Sequence, residues 1–304
     1  MAADAPLTLM TVHAHPDDET FGTGGTMARA VADRHRVVLV TCTRGELGEI
    51  VVPELDTPSN HRRLGEIRAG ELEDAMGELG VTEWENLGYR DSGMMGTPGN
   101  ADPRCFWQAD LDEAIGRLTF LVRRERPDVM TTYNEYGGYG HPDHIRTHLV
   151  AIGAWERAGD PACYPGQLEG DDGLEPWAPS KLYEQATPAS VREAMAAALE
   201  VMGRRSWWAA PDDATPEERA EWEARVSRML VPDDTITTWV DVAERLEAKW
   251  RAIRRHVTQI GSDNPALAMG LDGWRRHWNR EAFILRSTRI ETALPETDLF
   301  TGLR

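Results

Sequence analysis

Short apolar runs alternate with helical spacings through the first half of this chain. Leu7–Val12 reads as a strand, and Gly24-Gly25 then open a helix through Met27, Ala28, Ala30, Val31 and Ala32. Val37-Val38-Leu39-Val40-Thr41 is almost uninterrupted in apolar character, the pattern of a parallel strand covered on both faces. Arg62–Leu79 carries Leu64, Ile67, Leu72, Ala75, Met76 and Leu79 near helical spacing. Glu83–Leu87 reads as a short strand, Leu111–Glu125 as a helix stopped by Pro127, and Asp128–Tyr133 as a strand. A glycine-rich loop, Gly137-Gly138-Tyr139-Gly140, leads into a helix from about Pro142 to Ala158, with Pro142 suited to a first helical position. This β-α-β-α order predicts an α/β fold: a Rossmann-like, mostly parallel sheet with helices on both faces. Such sheets bind ligands beyond the carboxyl ends of their strands.

From Cys163 to Trp177 the composition turns to Pro, Gly, Asp and Glu. That shift suggests a domain of residues 1–165 followed by a smaller C-terminal subdomain, 166–304, that completes the substrate pocket. In the second part Lys181–Tyr183 and Thr235–Trp239 read as strands. Helices are expected near Pro188–Met202, Pro216–Met229 and Val240–His256. Trp207, Trp208, Trp222, Trp239, Trp250, Trp274 and Trp278 crowd this half and read mainly as core, with a few able to wall a cleft.

Composition narrows the function. Apolar residues form 41% of the 304 and charged residues 28%, which places the chain among globular proteins. A net charge of −18 argues against nucleic acid and against anionic membrane surfaces, which attract basic patches. No secretory leader and no membrane-length apolar run is read. Cys42, Cys105 and Cys163 are widely spaced without a CxxC pair, so a disulfide framework is not expected and a cytoplasmic setting is. The oligomeric state is not set by the sequence, and a homo-oligomer stays open.

Two strings carry the chemistry: Ala14-His15-Pro16-Asp17-Asp18-Glu19 and Gly140-His141-Pro142-Asp143-His144. Each follows a predicted strand. His15 and Asp18, three residues apart around Pro16, can face one site, with His144 as a third ligand. Two imidazoles and one carboxylate with an open position form a catalytic zinc pattern. Asp17, beside a ligand in a tight turn, is free to take a proton from an attacking water, and His141 to serve as the acid. Tyr139 is either a donor to a developing oxyanion or a packed loop aromatic. Glu49, in Gly45-Glu46-Leu47-Gly48-Glu49, can reach the pocket; Arg68 and Asp91 can bind substrate hydroxyls, or be structural charges. His13 supports the metal site or ends a strand, and His148 and His256 read as packing or helix-end residues. Gly22-Thr23-Gly24-Gly25 is not a dinucleotide fingerprint, because the third glycine of that pattern would fall on Met27.

At His15–Glu19 and His141–His144 the chain resembles the LmbE/PIG-L family of metal-dependent N-deacetylases. The resemblance implies Zn2+ held by His15, Asp18 and His144, with Asp17 as general base. It also implies His141 as acid or electrophilic partner and Tyr139 at the oxyanion. The strings Gly45–Glu49, Arg90–Gly93, Met130–Tyr133, Gly137–His141 and Pro295–Phe300 are similar to the mycothiol-pathway branch, where positions like Glu49, Arg68 and Asp91 contact sugar or inositol hydroxyls. Gly22 stands where the conjugate amidase of that branch carries a lysine. The expected reaction is hydrolysis of the N-acyl amide of a small amino sugar, of the N-acetylglucosaminyl-inositol or mycothiol-conjugate type. The same donors also form the facial triad of non-haem Fe2+ oxygenases, which is one alternative. A non-catalytic carbohydrate-binding relative is the other.

Overall fold

The computed structural model describes residues 5–169, 173–206 and 208–304; Met1–Asp4 and Trp207, touched by the sequence reading, lie outside the described residues. The first half runs β1 (Thr8–His13), α1 (Asp18–Gly22), α2 (Gly24–Ala32), β2 (Arg36–Thr41), α3 (Pro58–Arg62), α4 (Leu64–Leu79), β3 (Glu83–Asn86), α5 (Leu111–Glu125), β4 (Val129–Thr132), α6 (Gly137–Gly140) and α7 (Pro142–Arg157). Then come β5 (Lys181–Ala186), α8 (Ala189–Val201), α9 (Pro216–Met229), β6 (Thr238–Asp241), α10 (Leu246–Ile253), α11 (Pro265–Ala268), α12 (Gly270–His277) and β7 (Arg280–Thr288).

The strands form one seven-stranded sheet in the order β3-β2-β1-β4-β5-β7-β6. β3, β2, β1, β4 and β5 are parallel, and β7 runs antiparallel to both β5 and β6. Both faces are covered, which is why the central strands are apolar throughout. Leu9, Val37, Leu39 and Val129 pack with Met27, Leu72, Met76, Met195, Leu246 and Trp274 on one face. Met10, Val12, Val38, Val40 and Met130 pack with Ile115, Leu118, Val122 and Val150 on the other.

Local signals set the helix ends. Asp110 caps α5 by accepting the Glu113 N–H at 2.9 Å, and Gly80 ends α4 in the left-handed region at φ 74°. Two readings change. The helix expected over Val240–His256 starts only at Leu246, because Val240 and Asp241 pair with Glu281 and Arg280 and extend β6. The longest strand, β7, was not read at all.

The chain winds from β1 to β2 and β3 on one side, then crosses to β4 on the other. β1 and β4 are therefore neighbours at the point where the winding reverses, and a crevice opens beyond their carboxyl ends. Both sequence motifs sit in that crevice: one follows β1 and the other follows β4. No helix among the described residues is long and apolar enough to cross a membrane.

Candidate metal centre and substrate cleft

Three donor atoms converge at the switch point. His15 Nδ1 lies 3.3 Å from Asp18 Oδ2, His144 Nε2 lies 3.3 Å from the same oxygen, and the two nitrogens are 3.3 Å apart. A tetrahedral ion with ligands at about 2.0–2.1 Å spaces its donors about 3.3–3.4 Å apart, so the triangle fits a small divalent cation without rearrangement. Hydrogen bonds place these atoms. The Asp18 carboxylate folds back to accept the His15 backbone N–H at 2.9 Å. His15 Nε2 donates to Asp143 Oδ2 at 3.2 Å, which leaves Nδ1 with its lone pair toward the triangle. Asp143 is itself held by the backbone N–H and hydroxyl of Ser92. The His144 ring stacks on Tyr133, centroids 4.2 Å apart.

Burial disfavours charge on His15, but its bonds to Asp143 and Asp18 outweigh that and raise its pKa well above the ordinary value. Burial would likewise raise Asp18, yet His144 and His15 hold it well below the usual carboxylate range. The cluster is thus a carboxylate matched to imidazoles that need a positive partner. Wider sets also lie within 4.8 Å: His15 with His141 and His144, and His15 with Asp91, His141 and Asp143. Asp143 and Asp91 are less suited to an ion, because both oxygens of each already accept hydrogen bonds: Asp143 from Ser92 and His15, Asp91 from the N–H groups of Leu47 and Gly93.

Asp17 occupies an unusual backbone conformation, φ 112° and ψ −35°. A non-glycine residue there stores about 1–3 kcal/mol and persists only when its surroundings hold it. Its N–H donates to Glu19 Oε2 at 2.8 Å, and its carbonyl accepts from Thr20 Oγ1 at 2.8 Å. Arg68 Nη2 binds Asp17 Oδ1 at 3.0 Å and the Pro16 carbonyl, while Nη1 binds the Gly45 carbonyl at 2.9 Å. Burial pushes the Asp17 carboxyl up to about 6 against the pull of Arg68. Glu19, fully buried, in turn meets His256 Nε2 at 2.8 Å, a contact across 237 residues. Burial opposes a charged His256, but Glu19 outweighs it and raises the imidazole.

His141 caps α7, its Nδ1 accepting the Asp143 N–H at 3.1 Å. In the neutral ring the remaining proton then sits on Nε2. Burial, with His15 and His144 nearby, pushes His141 down to about 3. Tyr139 stands on the glycine loop with its hydroxyl 3.4 Å from His144 Nε2. Gly137 is required there: at φ 65°, a Cβ would lie 2.6 Å from the Ile145 nitrogen and 2.7 Å from His144 Cβ.

Two cavities meet at Asp17, Asp18 and Tyr139. One, of about 500 Å³, is the more polar of the two, and brings Glu49, Arg68, Asp91, His141 and Gln259 around the site. The other, of about 410 Å³, runs under the second half of the chain. The nine residues singled out from sequence thus share one cleft. Within it Arg68 is only 3% exposed and is committed to Asp17, Pro16 and Gly45. Asp91 is bonded to the loop that carries Glu49. Asp143 and Glu19 carry no expected role from sequence, and His256 reads there as a packing or helix-end residue. The polar string His256-Val257-Thr258-Gln259 at a helix end was the available signal for His256.

The family model described as GlcNAc-PI de-N-acetylase, PIG-L, matches residues 10–155. A 1D-myo-inositol 2-acetamido-2-deoxy-alpha-D-glucopyranoside deacetylase from Geodermatophilus obscurus is 43% identical over 302 residues, covering 97% of each chain. Among solved structures, an N,N'-diacetylchitobiose deacetylase from Pyrococcus horikoshii aligns with TM-score 0.61 at 22% identity, over 91% of this chain and 83% of that one. A 4-carboxy-2-hydroxymuconate hydratase from Pseudomonas putida KT2440 aligns with TM-score 0.58 at 18% identity, over 95% of this chain and 99% of that one. The fold therefore carries more than one chemistry, and the reaction has to be argued from the site.

Proposed function

The chain belongs to the PIG-L (LmbE) family of N-deacetylases, and from that membership we propose that it hydrolyses the acetamide of an N-acetylglucosaminyl-inositol, releasing acetate and the free amine. The observation that carries this reading is the triangle of His15 Nδ1, Asp18 Oδ2 and His144 Nε2 with Asp17 beside it. The donor set is that of catalytic zinc, and the same atoms accept Fe2+. A bound divalent cation supplies Lewis acidity to the water and to the acyl carbonyl.

The protein's own groups do the rest. Arg68 occupies Asp17 Oδ1, leaving the other carboxylate oxygen to take the proton of the attacking water. His141, neutral with its proton at Nε2, donates a hydrogen bond there to the carbonyl oxygen, and the proton that Asp17 takes from water passes on to the departing nitrogen. Tyr139 offers a second donor where negative charge develops. Glu49 and Gln259 line the polar cavity with acceptors and donors suited to a polyol, while Asp91 and Arg68 hold its walls. Residues 166–304 complete the cleft. Three free cysteines accord with action in the reducing cytoplasm.

The test is amine release from 1D-myo-inositol 2-acetamido-2-deoxy-α-D-glucopyranoside and simpler N-acetyl amino sugars by metal-loaded protein. Release that a chelator abolishes and Zn2+ or Fe2+ restores is expected. Stoichiometric metal with no release from the whole panel overturns the reading.

A further inference from the structure

The second cavity is not accounted for by an acetyl group. It opens at Asp18 and Tyr139 and extends to about 410 Å³ between walls formed by Phe21, Val191, Met195, Met229, Ile260 and Trp278. Phe21 and Trp278 stack with centroids 6.1 Å apart, and Met195 is fully buried. Polar side chains also border it, Asn134, Gln185, Asn264, Arg280 and Glu281; of these Glu281 is engaged, accepting the N–H groups of Gly25 and Thr26, each at 2.8 Å, and the Lys249 ammonium at 2.6 Å. This cavity and the polar one share only the residues at the reaction centre, Asp17, Asp18 and Tyr139. A planar trans amide sends its two substituents in opposite directions. With the polyol among Glu49, Asp91 and Gln259, the acyl substituent enters the apolar side. A lone methyl group would leave most of those walls uncovered.

Resting on the deacetylase reading above, we infer that this cavity is an acyl subsite for linear aliphatic chains longer than acetyl, so that the enzyme hydrolyses medium-chain N-acyl amino sugars. Water adds to the acyl carbon, the C–N bond breaks, the proton from water passes to nitrogen, and the products are a fatty acid and the free amine. A chain that binds the walls equally in ground and transition states lowers KM rather than raising kcat.

The experiment compares N-acetyl, N-butanoyl, N-hexanoyl and N-octanoyl glucosaminyl-inositol with the metal-loaded enzyme. kcat/KM should rise about fourfold per methylene over the first additions, carried by KM. Val191→Trp, on α8, should cut the hexanoyl-to-acetyl ratio at least about tenfold by filling the cavity. A flat or falling series with acetyl active overturns the subsite and leaves the deacetylase reading standing. A series silent throughout, acetyl included, overturns both. The assignment also fails if the gain appears only when the alkyl chain is carried on the anomeric oxygen of an N-acetylated sugar, since the cavity then takes an aglycone.

Discussion

Replacing His256 by leucine removes the imidazole that meets Glu19 and should slow catalysis through Asp17 without touching the candidate metal ligands. Asp17 is held at φ 112° by a chain that runs from its N–H to Glu19 Oε2 and from Glu19 Oε1 to His256 Nε2, each step 2.8 Å. Glu19 and His256 are both fully buried. Without the imidazole, the Glu19 carboxylate loses the bond at Oε1 that fixes its orientation toward the Asp17 N–H. Its charge-assisted bond to the Asp17 N–H, of the kind that contributes about 1.5–3 kcal/mol, is then no longer held in place. The backbone strain of about 1–3 kcal/mol is then free to relax. Together these correspond to a fall in kcat of about 10- to 100-fold. The assay is steady-state amine release with parallel metal analysis. KM should stay within about threefold and metal stoichiometry should be unchanged, because His256 touches neither substrate nor ligand atoms. His256→Gln, which keeps a neutral donor, should fall between wild type and His256→Leu. The decisive comparison uses Asp17→Asn as background: if His256 acts through Asp17, His256→Leu costs almost nothing further there. An unchanged kcat in His256→Leu, or an equal loss in both backgrounds, refutes the reasoning.

Other expectations follow from the same geometry. Asp17→Asn should retain metal and lose about 10²- to 10⁴-fold in kcat, read by amine release beside metal analysis. Asp143→Ala removes the acceptor that fixes His15 Nε2 at 3.2 Å, and should weaken metal binding about 10- to 100-fold in a chelator-competition titration. Lys181 and Glu296 form a fully buried pair that also takes the Tyr183 hydroxyl. Lys181→Met should destabilise folding by about 3–5 kcal/mol, seen as a lower urea midpoint at unchanged slope.

The candidate metal site was legible as a cluster because its parts are local in sequence. His15 and Asp18 share one turn after β1, and His141, Asp143 and His144 share the first turn of α7. Strand patterning then predicts that both turns lie at the same edge of the sheet. The parallel core was legible for the same reason: Leu9 with Met10, and Val37 with Val38, face opposite layers that are both apolar. β7 was not, because Arg-Glu-Ala-Phe-Ile-Leu-Arg begins with charges that only the structure explains. Arg280 pairs with Asp241 at the sheet edge, and Glu281 turns inward to the start of α2, where its carboxylate meets two free N–H groups. Arg68 was legible only as two alternatives, a hydroxyl contact or a structural charge. A lone arginine in a helix gives no sign that its guanidinium is spent on the Pro16 carbonyl and the Asp17 carboxylate.

What the sequence hid most completely is how the second half holds the first. Three of the four residues His256–Gln259 after α10 fasten three separate segments of the cleft. His256 reaches Glu19 and so the Asp17 turn. Thr258 receives the Val51 N–H at its carbonyl and binds the Glu71 carboxylate of α4 through its own N–H and hydroxyl, both at 2.7 Å. Gln259 holds the Glu49 carbonyl at 3.1 Å. Lys249, one element earlier, ties the Phe21 carbonyl to Glu281. In the sequence Glu19, Glu71 and Glu281 look like ordinary surface acids, and only the fold turns them to these partners. The candidate ligands sit before residue 165, yet the Asp17 turn, the loop that carries Glu49 and the apolar cavity wall all lean on residues after it. Binding energy from either cavity can therefore act on the geometry at Asp17, since the same short segment anchors the base and borders the polar side.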